Sequence, residues 1–562
     1  MSSKNVEEIK AESRSLRGTI QESLAADSSH FSDDEYQLLK FHGTYQQDDR
    51  DQRAARKAQN QDKAWIFMVR SKLPGGDLTA AQYLEHDKIA GELGNGTLRV
   101  TTRQGFQTHG VLKGDLKECI RRINESGVTT WGACGDVVRN TIAAAAPIDD
   151  PAHRDAQRLA KEISQAFLAR STAYADIWLN DDKLPVTVNS DQSENTSQEE
   201  PIYGKQYLPR KFKIAIAIPP RNDVDVYAND LGFIAQVEAG EVKGYTVVVG
   251  GGFGMTHGKQ DTYPALAKPL AYVQRDQVIQ TAVAVVTVQR DFGNRTDRKR
   301  ARLKYLIDEK GIEWFRQEVQ AQLPFSLQPP KEARWDTVSD LLGWHQQTNG
   351  NYFLGLFVEN GRIKDVDGYQ LKTGLRHAIE RFQPEVRLTA AQNLLLVNVR
   401  PDQRAGIEQV LGEHTISVSN PFSPTRLASM ACPALPTCGL ALAESERALP
   451  DLLTRIEGLL SELGLAGQEL IVRMTGCPNG CARPYMAEIA FVGKAPNKYQ
   501  IYLGGNEAST RLNRLYKQTV TGEDLLKELR VVLTRYRQER RNGERFGDYC
   551  ARIIWAEEAD SP

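Results

Sequence analysis

The sequence contains few cysteines, no long hydrophobic run and no excess of either charge. Seven of its 562 residues are cysteines, too few for the dense disulfide framework of a small secreted domain. The longest apolar stretches, such as residues 282–288, are far too short to cross a bilayer. Residues 1–16 are polar and charged and lack the apolar segment of a signal peptide. We therefore expect a cytoplasmic protein with no membrane partner.

The two kinds of charge balance almost completely. Lys and Arg number 71 and Asp and Glu 72, a net charge of −1, whereas dedicated nucleic-acid binders usually carry a basic excess. Hydrophobic residues make up 40% and charged residues 25%, which is typical of a globular protein. The length suffices for three or four domains. We expect no nucleic-acid partner, although this total is compatible with a local basic cleft.

Strand and helix patterns alternate along the chain and predict a mixed α/β fold. Residues 65–69 and 212–218 have the composition of strands. Residues 155–170 carry apolar side chains on one helical stripe, and Asp155 is the predicted N-cap of that helix.

Two further segments lack the features of a folded or nucleotide-binding element. Residues 189–200 contain no apolar side chain and are predicted to form a solvated loop. The glycine cluster at 250–252 suggests a dinucleotide site, but Met255 stands where the third glycine of G-x-G-x-x-G belongs. We therefore do not assign a nicotinamide site to this segment.

The chain contains an internal repeat. Residues 98–111 align without gaps to residues 386–399, and the identical pairs are Arg99/Arg387, Thr101/Thr389, Gln104/Gln392 and Val111/Val399. Similar turn, strand and helix patterns flank both copies, which predicts a pseudo-twofold α+β protein built from two β–α–β–β–α units. The first copy keeps Arg103, Gln107 and His109 where the second has apolar residues. We expect the first copy to face an anionic ligand and the second to act as scaffold.

Four of the cysteines lie within fifty residues of one another. Five residues separate Cys432 from Cys438, and three separate Cys477 from Cys481. Four thiolates converging from two rigid loops suit a cubane iron–sulfur cluster, and Asn479 is placed to donate a hydrogen bond near it. Structural zinc sites favour spacings of two to four residues, so zinc fits the longer gap less well. Unrelated structural or redox thiols are the third interpretation.

Five blocks of the sequence resemble the sirohaem-containing sulfite and nitrite reductases, in that family's order and over nearly the whole chain. The blocks are FHGTYQQDDRD at 41–51, KLPGG at 72–76, YLPRKFK at 207–213, RDFGNRTDR at 290–298, and MACPALPTC at 430–438 with TGCPNGC at 475–481. The resemblance implies a duplicated sulfite/nitrite reductase fold with two ferredoxin-like half-repeats and two larger α/β domains. The implied segments are an N-terminal arm at 1–64, half-repeats at 65–131 and 343–417, a sirohaem- and substrate-binding domain at 132–342 and a cluster-bearing domain at 418–562.

The same resemblance implies two cofactors. In the family, four cysteines hold a [4Fe–4S] cluster and the last of them also ligates the sirohaem iron. Here Cys432, Cys438 and Cys477 would complete the cluster, and Cys481 would be the bridging ligand. Because sirohaem has a rim of carboxylates and sulfite is a dianion, their burial requires compensating cations. The candidate cations are Arg70, Arg99, Arg103, Arg139, Arg210, Lys211, Lys213, Arg295, Arg298 and Lys299.

Roles for individual residues follow from the resemblance. The residues implied to line the substrate side, bind sulfite and deliver protons are Arg70, Arg139, Lys211 and Lys213. Those implied to contact the cofactor are Arg99, Thr101, Arg103, Gln107, Arg210, Asn479 and Cys481. Arg302 stands where we expect a lysine of the family, so the charge is kept but a proton-donating role is in doubt.

The activity implied is six-electron reduction of sulfite to sulfide in assimilatory sulfate reduction and cysteine biosynthesis. The alternatives are nitrite reduction to ammonia and, in another class, a zinc or cluster protein without catalysis. Because the chain has no convincing flavin or nicotinamide motif, a partner must supply electrons. The block at 46–51 resembles the NADPH-linked enzymes more than the ferredoxin-linked ones. It favours a flavoprotein α-component over ferredoxin as the donor, with the N-terminal arm as its docking site.

Overall fold

The computed structural model describes residues 4–179 and 200–559. The predicted loop at 189–200 lies outside the described residues, apart from Glu200. In the described ranges the chain forms four five-stranded sheets and a two-stranded sheet, Asp365–Val366 with Tyr369–Gln370. None of the helices in these ranges combines the length and apolar character that a membrane span requires.

Two of the sheets are built from the repeated segments. The first repeat sheet contains, in spatial order, Thr44–Asp48, Trp65–Arg70, Phe106–Val111, Leu98–Val100 and Arg362–Ile363. The second repeat sheet contains Gly343–Gln346, Tyr352–Leu356, Leu394–Val399, Glu385–Leu388 and Asp77–Leu78. All their pairings are antiparallel. The two aligned segments form hairpins at equivalent positions, so the predicted duplication is confirmed.

Each repeat sheet is completed by a short strand from the other half of the chain. Arg362–Ile363 pairs with Leu98–Val100, and Asp77–Leu78 pairs with Glu385–Leu388. Gly76 and Gly361 precede these strands with φ of +75° and +76°. A Cβ on Gly76 would collide with the Leu388 carbonyl, and one on Gly361 with the Val100 carbonyl. Glycine is required at both positions by the left-handed backbone and the close approach.

The remaining two sheets share another topology. The first large sheet contains Ile142–Ala143, Ile214–Ala217, Leu231–Glu238, Glu241–Val249 and Lys268–Gln274. The second large sheet contains Met430–Ala431, Val472–Thr475, Ile489–Ala495, Lys498–Leu503 and Arg514–Thr521. In each, the first three strands are parallel and the last two pair antiparallel. The twofold relation therefore extends beyond the repeat sheets.

Helices accompany both halves of the chain. In the first half they are Ala80–Glu92, Leu116–Glu125, Pro151–Ala166, Ala173–Trp178, Val278–Phe292, Leu303–Lys310 and Ile312–Ala321. In the second half they are Leu371–Phe382, Arg404–Glu413, Pro424–Leu427, Leu449–Glu462, Leu525–Glu539, Phe546–Tyr549 and Trp555–Ala559.

Helix Pro151–Ala166 begins earlier than predicted. Its N-cap is Asp150, whose carboxylate accepts a hydrogen bond from the His153 amide at 2.8 Å. Asp155, the predicted N-cap, lies inside the helix and accepts from the Tyr245 hydroxyl at 2.7 Å. The helix is confirmed and its cap is wrong, because a tertiary partner of Asp155 is not visible in the sequence.

The N-terminal segment packs onto its own chain. Its helices are Val6–Ala11, Ile20–Ala25, Asp33–Leu39 and Arg53–Ala58. Leu16, Ile20 and Phe31 are buried in the largest hydrophobic core. The described helix Arg53–Ala58 contains no buried residue and remains at the surface.

Candidate active site

The four clustered cysteines lie on two loops that follow neighbouring parallel strands. The first cysteine loop, residues 432–438, follows Met430–Ala431, and the second cysteine loop, residues 477–481, follows Val472–Thr475. Because parallel strands end at the same edge of a sheet, the two loops meet. The Gly476 amide donates to Cys432 Sγ at 3.4 Å.

The four thiols share one site. Burial raises the pKa of Cys432, and the thiols of Cys481, Cys477 and Cys438 raise it further. Four thiols on two rigid loops suit a cubane iron–sulfur cluster, in which each sulfur binds its own iron.

Asn479 contacts the cysteines as the sequence position indicates. Its side-chain amide donates to Cys477 Sγ at 3.5 Å. A hydrogen bond to a ligating sulfur withdraws electron density from it, which affects the potential of any cluster held there.

A cavity opens beside Cys481. Cys481 and Asn479 form one side, and five cationic side chains from both halves of the chain reach its wall: Arg103, Lys211, Lys213, Arg302 and Arg483. Apolar residues complete the wall, among them Ile142, Val224, Ala228 and Phe253. Convergent cations beside a few apolar residues suit an anionic ligand.

Lys213 is a titratable group of this cavity. It precedes the strand Ile214–Ala217, and alternation directs it to the same side as Lys211. Burial lowers its pKa to about 7, and Arg103 and Arg302 contribute by repulsion. In the part of the chain that is described, its ammonium forms no ion pair. It is therefore available to a ligand.

Lys211 is in a similar position. Burial lowers the pKa of Lys211 well below its usual value, and repulsion from Arg210, Arg139 and Lys213 adds to this. Across residues 4–179 and 200–559 its ammonium also has no carboxylate partner. Unpaired buried cations are costly, so this pair of lysines predicts an anion.

The arginines of the cavity wall are held by the protein. Arg302 binds Asp230 with two hydrogen bonds, Nε to Oδ1 at 2.8 Å and Nη2 to Oδ2 at 2.7 Å. Arg103 donates to the Ile214 carbonyl at 2.9 Å. The Thr101 hydroxyl accepts from the Arg103 amide at 3.2 Å and so supports the turn that carries Arg103. Thr101 acts on the site through Arg103. The Nε and Nη2 groups of Arg302 each donate a hydrogen bond to Asp230.

Arg70, Arg139 and Gln107 lie near one another but are not in the cavity wall. Arg70 donates to Cys134 Sγ at 2.9 Å. With its amide oxygen turned toward Arg70, Gln107 accepts from Nε at 3.0 Å. Burial opposes the charge of Arg139, but Tyr45 and Cys134 hold its pKa above the usual value. Arg70 therefore contacts the Cys134 thiol, and Arg139 is near enough to interact with it electrostatically.

Arg99 is directed away from the cavity. It binds Glu446 and donates to the Ala431 carbonyl at 2.8 Å. Glu446 also accepts from Arg362 at 2.7 Å, and its amide donates to the Cys432 carbonyl at 3.1 Å. Arg99 thus supports the first cysteine loop in this structure.

The other candidate cations are divided between partly exposed ion pairs and the open surface. Arg210 is 4.0 Å from Asp136, and burial with repulsion from Arg298 lowers its pKa to about 10. Arg298 binds Asp136 at 2.7 Å and Arg295 binds Glu7 at 2.6 Å. Lys299 is exposed.

Comparisons with known proteins agree with this geometry. The family model described as nitrite and sulphite reductase 4Fe-4S domain matches residues 135–327 and 425–557. The model described as nitrite/sulfite reductase ferredoxin-like half domain matches residues 58–126 and 345–414. The chain belongs to the nitrite and sulphite reductase family. It is an oxidoreductase, and the resemblance proposed from the sequence is confirmed.

Relatives cover almost the full chain. A protein of Geobacillus thermodenitrificans is 47% identical over 98% of this chain and 95% of its own length. One from Staphylococcus haemolyticus is 46% identical over 97% and 94%. Both are named sulfite reductase [NADPH] hemoprotein beta-component. The solved Mycobacterium tuberculosis NirA protein shares the fold, with a TM-score of 0.78 at 24% identity over 98% of this chain and 96% of its own.

The residues present fit the cofactors of the family. Four thiols meet at one site, and the cavity beside Cys481 holds unpaired cations that suit a carboxylate-bearing tetrapyrrole. Arg103 Nε is buried with no hydrogen-bond partner in the described ranges. The predicted [4Fe–4S] cluster and sirohaem are confirmed, since the matched domain is a 4Fe-4S domain and the relatives are hemoproteins. Cys432, Cys438, Cys477 and Cys481 would hold the cluster, and Arg103, Lys211 and Lys213 would face the haem.

Sequence reasoning missed Arg483 and Lys304. Arg483 lines the cavity, donates to the Ala390 carbonyl at 2.8 Å and pairs with Asp225 at 2.5 Å. Its position two residues after Cys481 was the available signal. Lys304 donates to the carbonyls of Gly252 and Gly254, at 3.1 and 3.0 Å. Gly254 lines the cavity, so Lys304 supports this part of the wall from behind.

Proposed function

We propose that this chain reduces sulfite to sulfide with six electrons, in assimilatory sulfate reduction that supplies cysteine biosynthesis. The observation that carries the proposal is that Lys211 and Lys213 share a cavity with Cys481. One wall of this cavity is a cluster cysteine and another is a set of cations. The names of the relatives support sulfite as the substrate.

The chain's own residues must bind a dianion and deliver protons. The sirohaem and cluster, when bound, supply the electrons and an iron site for sulfur. Converting sulfite to hydrosulfide consumes six electrons and seven protons and releases three waters. Each departing oxygen therefore requires proton donors beside it. Lys213, with a pKa near 7, can hold a proton while an anion is present and release it at neutral pH.

The other cations have fixed charges or support the site. The positive charges of Arg139 and Arg210 each lower the pKa of Lys211. Sulfite bound at Lys211 would therefore be stabilised by several positive charges. Arg70, which donates to Cys134 Sγ, would complete this side. Arginine keeps its proton at all relevant pH values, so we assign binding to the arginines and proton delivery to the lysines.

A flavoprotein α-component is the proposed electron donor, with ferredoxin as the alternative. The relatives' name, hemoprotein beta-component, supports an α-component. Purified protein should be assayed with sulfite and either the NADPH-reduced flavoprotein or reduced ferredoxin. Faster turnover with ferredoxin would contradict the flavoprotein assignment.

The substrate assignment is tested with an artificial donor. Anaerobically purified holoenzyme and reduced methyl viologen should give a higher kcat/KM for sulfite than for nitrite. The variant Lys213→Met should lose most turnover while its haem absorption is retained, because the proton donor is gone. Lys243→Met, which removes an exposed lysine paired with Glu241, is the matched control. A preference for nitrite, or full activity of Lys213→Met, would contradict the proposal.

A further inference from the structure

Arg50 connects the N-terminal segment to the first cysteine loop. Its backbone amide donates to the Pro436 carbonyl at 3.3 Å. Its guanidinium Nη1 donates to the carbonyls of Cys438 and Ala441, at 3.0 and 2.6 Å. Three hydrogen bonds from one residue therefore hold both sides of Cys438. They join parts of the chain that are 388 residues apart.

The loop that Arg50 holds lies near solvent. Leu440 is 67% exposed, and Cys438 is half-buried whereas Cys432 is buried. On its inner side the loop packs into a small buried apolar cluster. The contacts of Arg50 add three hydrogen bonds to this packing on either side of Cys438.

The positive charge of Arg50 also acts on Cys438. The guanidinium lies against Cys438 itself, with Nη1 3.0 Å from the Cys438 carbonyl oxygen. Of the three neighbouring carboxylates, Asp48 binds Arg53 and Asp51 binds Arg447, while Asp49 accepts hydrogen bonds from the Asp51 amide and the Gln52 side chain. In the described part of the chain no carboxylate lies within ion-pair distance of the Arg50 guanidinium.

We propose that Arg50 is a positioning residue that fixes Cys438 and raises the reduction potential of the cluster. The inference rests on the proposed function, since it assumes a cluster on these cysteines. Reduction adds a negative charge to the cluster, and a fixed cation nearby stabilises the reduced form. A higher potential favours electron transfer from the donor into the cluster.

The potential of the cluster in the holoenzyme is the decisive measurement. In an anaerobic redox titration followed by electron paramagnetic resonance, Arg50→Gln should shift the midpoint to more negative values. A tenfold change in the one-electron equilibrium corresponds to about 59 mV, and we expect a shift of that order. Arg50→Lys keeps the charge and should recover most of the potential, although an ammonium lacks the planar fork that reaches two carbonyls. Iron and acid-labile sulfide are determined in each sample.

Arg53→Gln is the matched control. It removes the same charge from the same segment, but the Arg53 guanidinium binds Asp48 and no residue of the first cysteine loop in the described structure. Its cluster should titrate like that of the wild type. An equal shift in Arg53→Gln would show a general charge effect and overturn the proposal.

The remaining outcomes separate this inference from the proposed function. An Arg50→Gln protein with full iron content and an unchanged potential overturns the role of Arg50 alone. If Arg50→Gln does not retain its cluster, the test is made with Arg50→Lys. Retained iron and a near-wild-type potential in Arg50→Lys support the proposal. A loss of iron equal to that of Arg50→Gln overturns the charge argument. Absence of iron and labile sulfide from the wild type would contradict the proposed function.

Discussion

Replacing Glu446 by glutamine tests the buried ion pairs beneath the first cysteine loop. Glu446 binds Arg99, which is 1% exposed, and Arg362 at 2.7 Å; Glu446 itself is 15% exposed. Glutamine has nearly the same shape but no charge. The variant therefore leaves two guanidinium groups in the interior without their carboxylate.

The expected loss of stability follows from the burial of these ion pairs. Removing one partner of a buried ion pair costs about 3–5 kcal/mol, and we take about 3 kcal/mol because Glu446 keeps some exposure. An unfolding entropy of about 2.1 cal/mol/K per residue gives about 1.2 kcal/mol/K for 562 residues. The Tm should then fall by about 2.5 °C if the chain unfolds in one transition. Glu444→Gln, which breaks the exposed pair with Arg447, should cost less than about 1 kcal/mol.

Scanning calorimetry at several pH values measures both the size of the stability loss and the direction in which that loss changes with pH. Burial would raise the pKa of Glu446, but Arg99 and Arg362 hold it below its usual value. A carboxylate with a lowered folded pKa contributes stability above its unfolded pKa, about 4.3, and loses it as the pH falls through the folded pKa. The gap between wild type and Glu446→Gln should therefore narrow below about pH 4. A loss no larger than that of Glu444→Gln, or a gap that widens in acid, would refute the reasoning.

Two further predictions concern the strand exchange and the lysines. Gly361→Ala should cost more than Gly96→Ala: both have positive φ, but an added Cβ meets the Val100 carbonyl at Gly361 and nothing within 4 Å at Gly96. We expect about 1–2 kcal/mol of strain for Gly96→Ala and about 1–3 kcal/mol more for Gly361→Ala, measured by Tm. Burial lowers the pKa of Lys213 to about 7 in the cofactor-free chain, and anionic ligands raise it. As the pH rises above 7 and Lys213 loses its proton, kcat/KM for sulfite should therefore fall. An identical pH profile in Lys213→Met would contradict this assignment.

The repeat was predictable because its identical residues have local roles. Gln104 and Gln392 both adopt positive φ, 51° and 72°, at the turn of their hairpins. Their side-chain amides donate to main-chain carbonyls, of Leu388 at 3.0 Å and of Ala431 at 3.0 Å. Because each turn depends on this side chain, the same glutamine is present in both copies of the sequence. The cysteine spacing likewise predicts the cluster site because each pair of cysteines lies on one local loop.

Ion-pair partners were not predictable in the same way. The family resemblance predicts that Arg99 contacts the cofactor, but the sequence gives no sign that Arg99 also binds Glu446, 347 residues away. Asp155 resembled an N-cap until the fold placed Tyr245 beside it. Arg483 carried no signal except its closeness to Cys481. Which acid neutralises which cation is decided by tertiary contacts, and sequence patterns do not encode them.

The distribution of carboxylates explains how a neutral chain can contain a cationic site. At the cavity wall, Arg302 has Asp230, and Arg483 shares Asp225 with Arg473, so carboxylates offset part of the charge of these arginines. In the described structure Lys211 and Lys213 have no such acid. The uncompensated charge of the wall therefore rests on these two lysines, whose pKa values lie below the usual value, and on Arg103, which donates only to neutral groups. A cavity whose net charge rests partly on such lysines can attract an anion and also give up protons to it.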